Sequence, residues 1–355
     1  MCIHPQWLPR LHHSLHLPSL RLWRPKLAQR QPLRHPPKNP DTFGDSAEGP
    51  PSGPCFSPSP CYAQVLIKLA FAVPRSTLPH LTQALAPLTH ASQALNEFGE
   101  SVEVHMPAER ALTVYVDKRE LVTLMTLGAY PELLVLGYLR NQRLVGNASD
   151  IESVTVDWAV GAAAVKTRHG LVDIEQKTAK KTVTTGCGQG SVYGDLMEDV
   201  DNIRLPSSGQ AHFSQTTLYA VVNAIRLKES TYKSAGSVHA CALFKGENLL
   251  CFVEDVGRHN ALDTIAGWMW MNGIESGLDL VFYTTGRLTS EMVIKSGQMG
   301  VPVVVSRSGI TQMGLAVAQQ LGLCSIGRAT NKRFLLYSGL DRFIAKPQLA
   351  GVNNN

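Results

Sequence analysis

The sequence predicts an α/β protein in which a small N-terminal α/β domain over residues 63–205 is followed by a second α/β domain over 206–345. Three observations lead there. From about residue 214 onward, short apolar β-rich runs alternate with helical segments, the pattern of a largely parallel or mixed sheet covered on both faces. Between residues 100 and 167, several runs alternate apolar and polar side chains with the period of a half-buried strand. Finally, 13 of the 21 prolines fall in the first 60 residues, where missing backbone donors prevent helix or sheet ladders. Residues 1–62 are therefore predicted to be a disordered Pro/His-rich tail, and 346–355 a second short one.

Composition narrows the function. The 44% hydrophobic and 17% charged content is that of a soluble globular chain, and no apolar run is long enough for a membrane-spanning helix. The opening MCIHPQWLPRLHHSLHLPSL lacks a continuous apolar stretch, so no signal peptide is expected. Of the net charge of +5, the first 60 residues carry +4 (seven Lys/Arg against three Asp/Glu). The remainder is nearly neutral, and a nucleic-acid partner is not expected. Seven cysteines, an odd number without a C-x-x-C pair, fit a reducing cytoplasm.

The elements follow in order. VLIKLAFAV (65–73) is a short apolar run, and LPHLTQALAPLTHASQAL (78–95) reads as a polar helical stretch. SVEVHM and ALTVYVD alternate around Pro107-Ala108-Glu109 and suggest a hairpin. Asp117 is placed to cap a helix through LVTLMTLG, which Gly128 ends. Pro131 then stands in the first turn of a helix through ELLVLGYLR. SVTVDWAV and AAAVKTRH read as two strands. The Pro/Gly break LPSSG (205–209) marks the domain boundary. Beyond it come a helix at about 214–228, the strands VHACALF and NLLCFVE, and the helix ALDTIAGWMW. The alternating set LDLVFYT, TSEMVIKSGQMG, VPVVVS, TQMGLAVAQQLG and LCSIGR follows, and RFLLYS closes it.

Four segments carry chemistry. In TTGCGQGS (184–191), Cys187 lies between glycines on a loop where its sulfur can be reached. Lys177, Lys180 and Lys181 lie just upstream and favour the thiolate, the form that attacks an external sulfur. Against this stands the reading of Cys187 as an ordinary buried cysteine. In VEDVGRHNALD (253–263), Glu254, Asp255, Arg258, His259 and Asn260 gather where a strand ends and a helix begins. Ligands collect beyond the carboxyl ends of strands in open α/β sheets, and Arg258 has the forked donors for a phosphate. Asn260 is the expected helix cap. YTTGRLTSE (283–291) repeats the pattern with Arg287. IGRATNKRF (326–334) sets Arg328, Lys332 and Arg333 among Gly327, Ala329, Thr330 and Asn331 between two strands. Each is also readable as a solvated surface turn, but three Arg-bearing strand ends in one domain favour a shared anion pocket. Neither a Walker A nor a G-x-G-x-x-G pattern is present.

Together these segments resemble the FdhD family of formate dehydrogenase accessory proteins over roughly residues 97–340. The match is carried by the cysteine loop, EDVGRHNALD, and the order of YTTGR, VPVVVSRSGITQMGLAVAQQLG and GRATNKRF. The resemblance implies that the second domain is a cytidine-deaminase-like three-layer α/β/α domain, and that the protein is a homodimer. It implies a sulfurtransferase: a cysteine desulfurase loads sulfur on Cys187 as a persulfide. The sulfur then passes to the bis-molybdopterin guanine dinucleotide cofactor of a formate dehydrogenase catalytic subunit. Gly327 to Arg333 match the family's cofactor-binding segment. Arg258 and Arg287 are further candidate phosphate clamps. The family loop commonly reads C-x-x-C, whereas Gly190 stands at the second position here, which excludes an internal disulfide switch in this loop. Two alternatives belong to other classes: a chaperone that delivers the cofactor without moving sulfur, and a sulfur carrier with another acceptor. A zinc deaminase is not supported, since neither His105 nor His239 begins an H-x-E segment and no C-x-x-C exists.

Overall fold

A computed structural model describes residues 77–170, 181–183, 191–193, 200–207, 209–228 and 230–346. The predicted N-terminal tail, the apolar run at 65–73, Cys187 and the chain after Lys346 lie outside these residues. No described helix is long and apolar enough to cross a membrane.

The chain begins with β1 (His80–Leu81), β2 (Thr89–Leu95), β3 (Ser101–Pro107), β4 (Arg110–Val116) and β5 (Arg119–Thr126). Next come α1 (Pro131–Asn141), β6 (Ile151–Asp157) and β7 (Ala162–Thr167). Five of these strands form one sheet in the order β1-β6-β7-β4-β5, whereas β2 and β3 pair only with each other. Three sequence expectations are corrected here. Residues 78–95 are not helical. Pro87 interrupts that run and removes a helical donor, and the flanks extend into β1 and β2.

The hairpin expected around Pro107-Ala108-Glu109 does not form, although both strands exist. The face of β4 made by Leu112, Val114 and Val116 is almost wholly buried, and β4 enters the five-stranded sheet between β7 and β5. β3, half exposed, pairs with β2 instead. Nor does Asp117 cap a helix. Asp117 and Lys118 have φ of 46° and 72°, the left-handed pair of a tight hairpin turn, so LVTLMT returns as β5. The Asp117 carboxylate accepts from the Thr167 amide at 2.9 Å and tethers β7. Pro131 opens α1 as expected, with Glu132 accepting from the Ala84 amide at 2.6 Å.

Two short antiparallel strands, β8 (Lys181–Val183) and β9 (Ser191–Tyr193), flank the cysteine segment in sequence. Then follow β10 (Phe213–Ser214), α2 (Gln215–Leu227), α3 (Thr231–Ala235), β11 (His239–Lys245), β12 (Asn248–Asp255) and α4 (Arg258–Met271). The chain continues with β13 (Leu280–Thr284), α5 (Ser290–Gln298), β14 (Val303–Ser306), α6 (Gln312–Gln320), β15 (Cys324–Thr330), β16 (Arg333–Ser338) and β17 (Phe343–Ile344). β10 pairs with β17, and the others form a mixed six-stranded sheet, order β12-β11-β13-β14-β15-β16. Strand alternation splits its side chains between two cores. Cys241, Leu243, Phe282 and Val304 pack against α4, α5 and α6, while Ala242, Phe244, Val281 and Val305 pack against α2. The result is three layers, α/β/α.

The two sheets are joined through α1 and α4, whose backbones touch. A Cβ added at Gly137 would stand 1.6 Å from the Asp263 carbonyl oxygen, and one at Gly267 would stand 2.0 Å from that of Leu133. Both helices are buried on most sides, as expected of helices held between layers. Gly137→Ala or Gly267→Ala is therefore expected to cost about 3 kcal/mol, the top of the overpacking range, because backbone cannot step aside as a side chain can. Urea denaturation should find Gly309→Ala, with nothing within 4 Å, close to wild type. Equal stability for all three variants would refute the close-contact account.

Candidate functional site

The site is built at one edge of the six-stranded sheet. β12, β13, β14 and β15 run parallel, so their carboxyl ends share that edge, and β11 starts there. Side chains stitch the loops leaving these ends together. Thr285 donates its amide to the Ala240 carbonyl at 2.9 Å and accepts from the Ala240 amide through Oγ1 at 3.0 Å. Ser306 Oγ donates to the Gly286 carbonyl at 2.7 Å, and Ser308 Oγ to that of Thr285 at 3.0 Å. The Arg328 amide donates to the Ser308 carbonyl at 2.7 Å.

These bonds fix four arginines along the edge. Arg258, buried at the start of α4, lies against Gly286, where an added Cβ would stand 2.8 Å from its Cδ. Arg287 follows Gly286 and is exposed, as is Arg307 after β14. Arg328 is exposed at a β-bulge, with φ of 52°, a left-handed conformation that breaks the β15–β16 register. Gly327 is needed beside it, since a Cβ there would stand 2.8 Å from the Tyr337 ring and 3.0 Å from the Ser308 carbonyl. Thr330, Asn331, Lys332 and Arg333 are exposed on the hairpin that continues past the end of β14, whereas Ala329 is buried in the α2-side core. The Lys332 carbonyl accepts from Tyr219 of α2 at 3.2 Å. Among the described residues, Arg287, Arg307, Arg328 and Arg333 pair with no carboxylate. β12 and β15 are four strand spacings apart, so the rim spans about 19 Å, the scale of a dinucleotide rather than of one phosphate.

The acidic and amide residues expected beside Arg258 have other work. Glu254 accepts from the amides of Thr231 and Tyr232, at 2.7 and 3.1 Å, and so holds the start of α3. Asp255 accepts from Thr126 Oγ1 and the Leu127 amide with one oxygen, and from the Gly257 amide and Asn260 Nδ2 with the other. Asn260 does not cap α4. The cap position is Gly257, and the Asn260 amide bridges Asp255 to the Met125 carbonyl. The two residues thus bind the end of β5 to the end of β12. Burial raises the Asp255 pKa, and its four hydrogen bonds oppose that shift.

Behind the rim lies a buried charge chain that the sequence did not disclose. His259 Nδ1 is 3.4 Å from Glu291, Lys295 Nζ is 3.3 Å from Glu291 and 2.9 Å from Asp263, and Asn141 of α1 donates to Asp263 at 2.7 Å. Burial pulls the His259 pKa down to about 3, against the pull of Glu291, so the ring is neutral at neutral pH. Burial alone would lower Lys295, but the two carboxylates raise it and keep it charged. Arg307, Ser308 and His239 were also missed. The first two were legible, because VVVSRSG repeats the strand, hydroxyl, arginine pattern of FYTTGR.

Burial raises Cys241, Cys251 and Cys324 to about 12, leaving them as unreactive thiols. A cavity of about 510 Å³ lies at the opposite edge of the sheet, lined by Val200, Ile203, Leu205 and Leu321. Of its polar side chains, Gln320 donates to Asp201 at 2.7 Å and Arg204 donates to the Asp201 and Ile203 carbonyls, so all three are engaged within the cavity wall.

The sequence matches the FdhD/NarQ family over residues 107–344, a span that holds the cysteine segment and the whole rim. It is 28% identical over 243 residues to the sulfur carrier protein FdhD of Listeria monocytogenes serotype 4b (strain F2365), covering 68% of this chain and 93% of that one. It is 30% identical over 241 residues to the sulfur carrier protein FdhD of Bacillus subtilis (strain 168), covering 68% and 91%. The crystal structure of a proposed formate dehydrogenase accessory protein from Desulfotalea psychrophila superposes with a TM-score of 0.57 at 22% identity, covering 73% of this chain and 100% of that one, a likeness of fold. With the family match extending over two thirds of its length, the chain belongs to the FdhD/NarQ family.

Proposed function

We propose that the protein is a sulfur carrier that accepts sulfur from a cysteine desulfurase as a persulfide on Cys187 and passes it to bis-molybdopterin guanine dinucleotide. The cofactor, here a substrate, would then serve the catalytic subunit of a formate dehydrogenase. The observation that carries the reading is the arginine rim, which gathers Arg258, Arg287 and Arg328 from three strand ends onto one edge. Pyrophosphates suit forked guanidinium donors, and a width of about 19 Å suits a ligand with more than one such group. The names of the Listeria and Bacillus relatives support sulfur transport as the task. In this reading the protein works as a cytoplasmic homodimer, Arg258 and Arg287 hold one pyrophosphate, and Gly327 to Arg333 hold the remainder of the cofactor.

Loading and binding are separable steps. The Cys187 thiolate attacks the sulfane sulfur of the desulfurase persulfide, and the desulfurase cysteine leaves as a thiolate. The rim takes no part in that exchange. Arg328→Ala or Arg333→Ala is therefore expected to weaken GDP binding about ten- to a hundredfold, the loss of one charge-assisted contact of roughly 1.5–3 kcal/mol. Both variants should still acquire sulfur on Cys187. Calorimetric titration with GDP, alongside mass spectrometry of the protein after incubation with desulfurase and cysteine, measures both. Unchanged GDP affinity would remove the hairpin from the site.

A further inference from the structure

We propose that His239 is an additional contact of the arginine rim, one that takes up a proton as a pyrophosphate diester binds between Arg258 and Arg287. The proposal rests on the reading of this edge as an oxyanion site and deepens it.

His239 opens β11 at the point where β12 and β13 end, its Cα opposite that of Asp255. The paired bonds between Ala240 and Thr285 hold it beside the turn that carries Gly286 and Arg287. Two guanidiniums, Arg258 of α4 and Arg287, lie within electrostatic reach of the ring, which is itself half-buried. The nearby carboxylates are committed elsewhere. Asp255 of β12 accepts four hydrogen bonds, and Glu254 faces the start of α3. Glu291 of α5 faces His259 and Lys295, and Asp263 of α4 faces Lys295 and Asn141. Lys233 of α3 turns to the Leu227 carbonyl. His239 thus stands among cations with no carboxylate turned to it by these bonds. Burial first, and then Arg258 and Arg287, lower its pKa from 6.5.

An anion between the two arginines reverses that balance. Its charge offsets the guanidiniums and favours imidazolium, which then donates to a phosphate oxygen. By linkage, a ligand that prefers the protonated protein binds more tightly as pH falls. The gain begins as pH drops through the pKa of the bound form and stops below that of the free form. Within that window it reaches at most about tenfold per pH unit.

The test uses GDP-mannose, a guanosine pyrophosphate diester with no group of its own titrating between about pH 5.5 and 8. Calorimetry of the full chain at about pH 6.5, in two buffers of different ionisation enthalpy, should reveal uptake of a fraction of a proton on binding. Uptake should vanish near pH 8. His239→Gln should bind GDP-mannose with no proton uptake at pH 6.5 and with a flat pH profile, which separates its protonation from any loss of contact. Binding without proton uptake, or equal uptake in His239→Gln, would overturn the role of His239 alone. Failure of the wild-type protein to bind GDP-mannose at any pH would overturn the oxyanion-site reading, and the proposal with it.

Discussion

Cys187→Ala is expected to abolish activation of formate dehydrogenase while leaving the melting temperature of the protein unchanged. No other cysteine in the described structure can stand in for it. At neutral pH a thiol whose pKa has been pushed to about 12 is ionised in only about one molecule in 10⁵, and Cys241, Cys251 and Cys324 are all in that condition. Cys241 is further held by Thr284, with Sγ 3.3 Å from Oγ1. Peptide mapping of wild-type protein incubated with a cysteine desulfurase and cysteine should therefore place a sulfur, about 32 Da, on Cys187 and on none of these three. The Cys187→Ala protein should carry none at Cys241, Cys251 or Cys324, whereas Cys251→Ala should load normally at Cys187. Full activation by Cys187→Ala would end the sulfurtransfer reading and leave delivery of the cofactor without sulfur as the function.

The largest expected loss of stability is at Lys295. This ammonium is almost wholly buried and is the cation between Asp263 and Glu291, at 2.9 and 3.3 Å. Lys295→Met keeps most of the volume but removes the cation that the two buried carboxylates share. Breaking a buried pair in this way costs about 3–5 kcal/mol, and at roughly 2–4 °C per kcal/mol the melting temperature should fall by about 6–20 °C. Adding Asp263→Asn and Glu291→Gln to Lys295→Met removes both buried carboxylate charges and should recover much of the loss. The comparison needs only thermal unfolding of the three proteins at one pH. A fall of less than about 1 kcal/mol in the single variant would mean that the chain is hydrated or already partly protonated.

The sequence alone determined the second half of the molecule. TQMGLAVAQQLG is long enough to be told from a strand, and the short buried run LDLVFYT is marked as a strand by its aromatic and β-branched residues between Gly277 and Gly286. The arginine-bearing strand ends were legible for the same reason, because local pattern says where a strand stops. The first half was less legible. LVTLMT is too short to distinguish the two periods, and only the left-handed Asp117-Lys118 pair and the neighbouring β4 made it a strand. The partner of β3 could not be read locally either, because pairing is decided by which apolar face finds a core.

Tertiary structure alone decided what the polar residues of EDVGRHN do. Asp255 and Asn260 reach Thr126, Leu127 and Met125, about 130 positions away in the chain, and these bonds weld the two sheets instead of serving a ligand. Glu291 and Lys295 are already neighbours four residues apart on α5, but Asp263 and His259 join them only after α4 and α5 pack side by side. The physical reason is common to all of them. A buried polar group must be satisfied, and its partner is whichever donor or acceptor the fold brings within about 3 Å, a distance that carries no trace in sequence spacing.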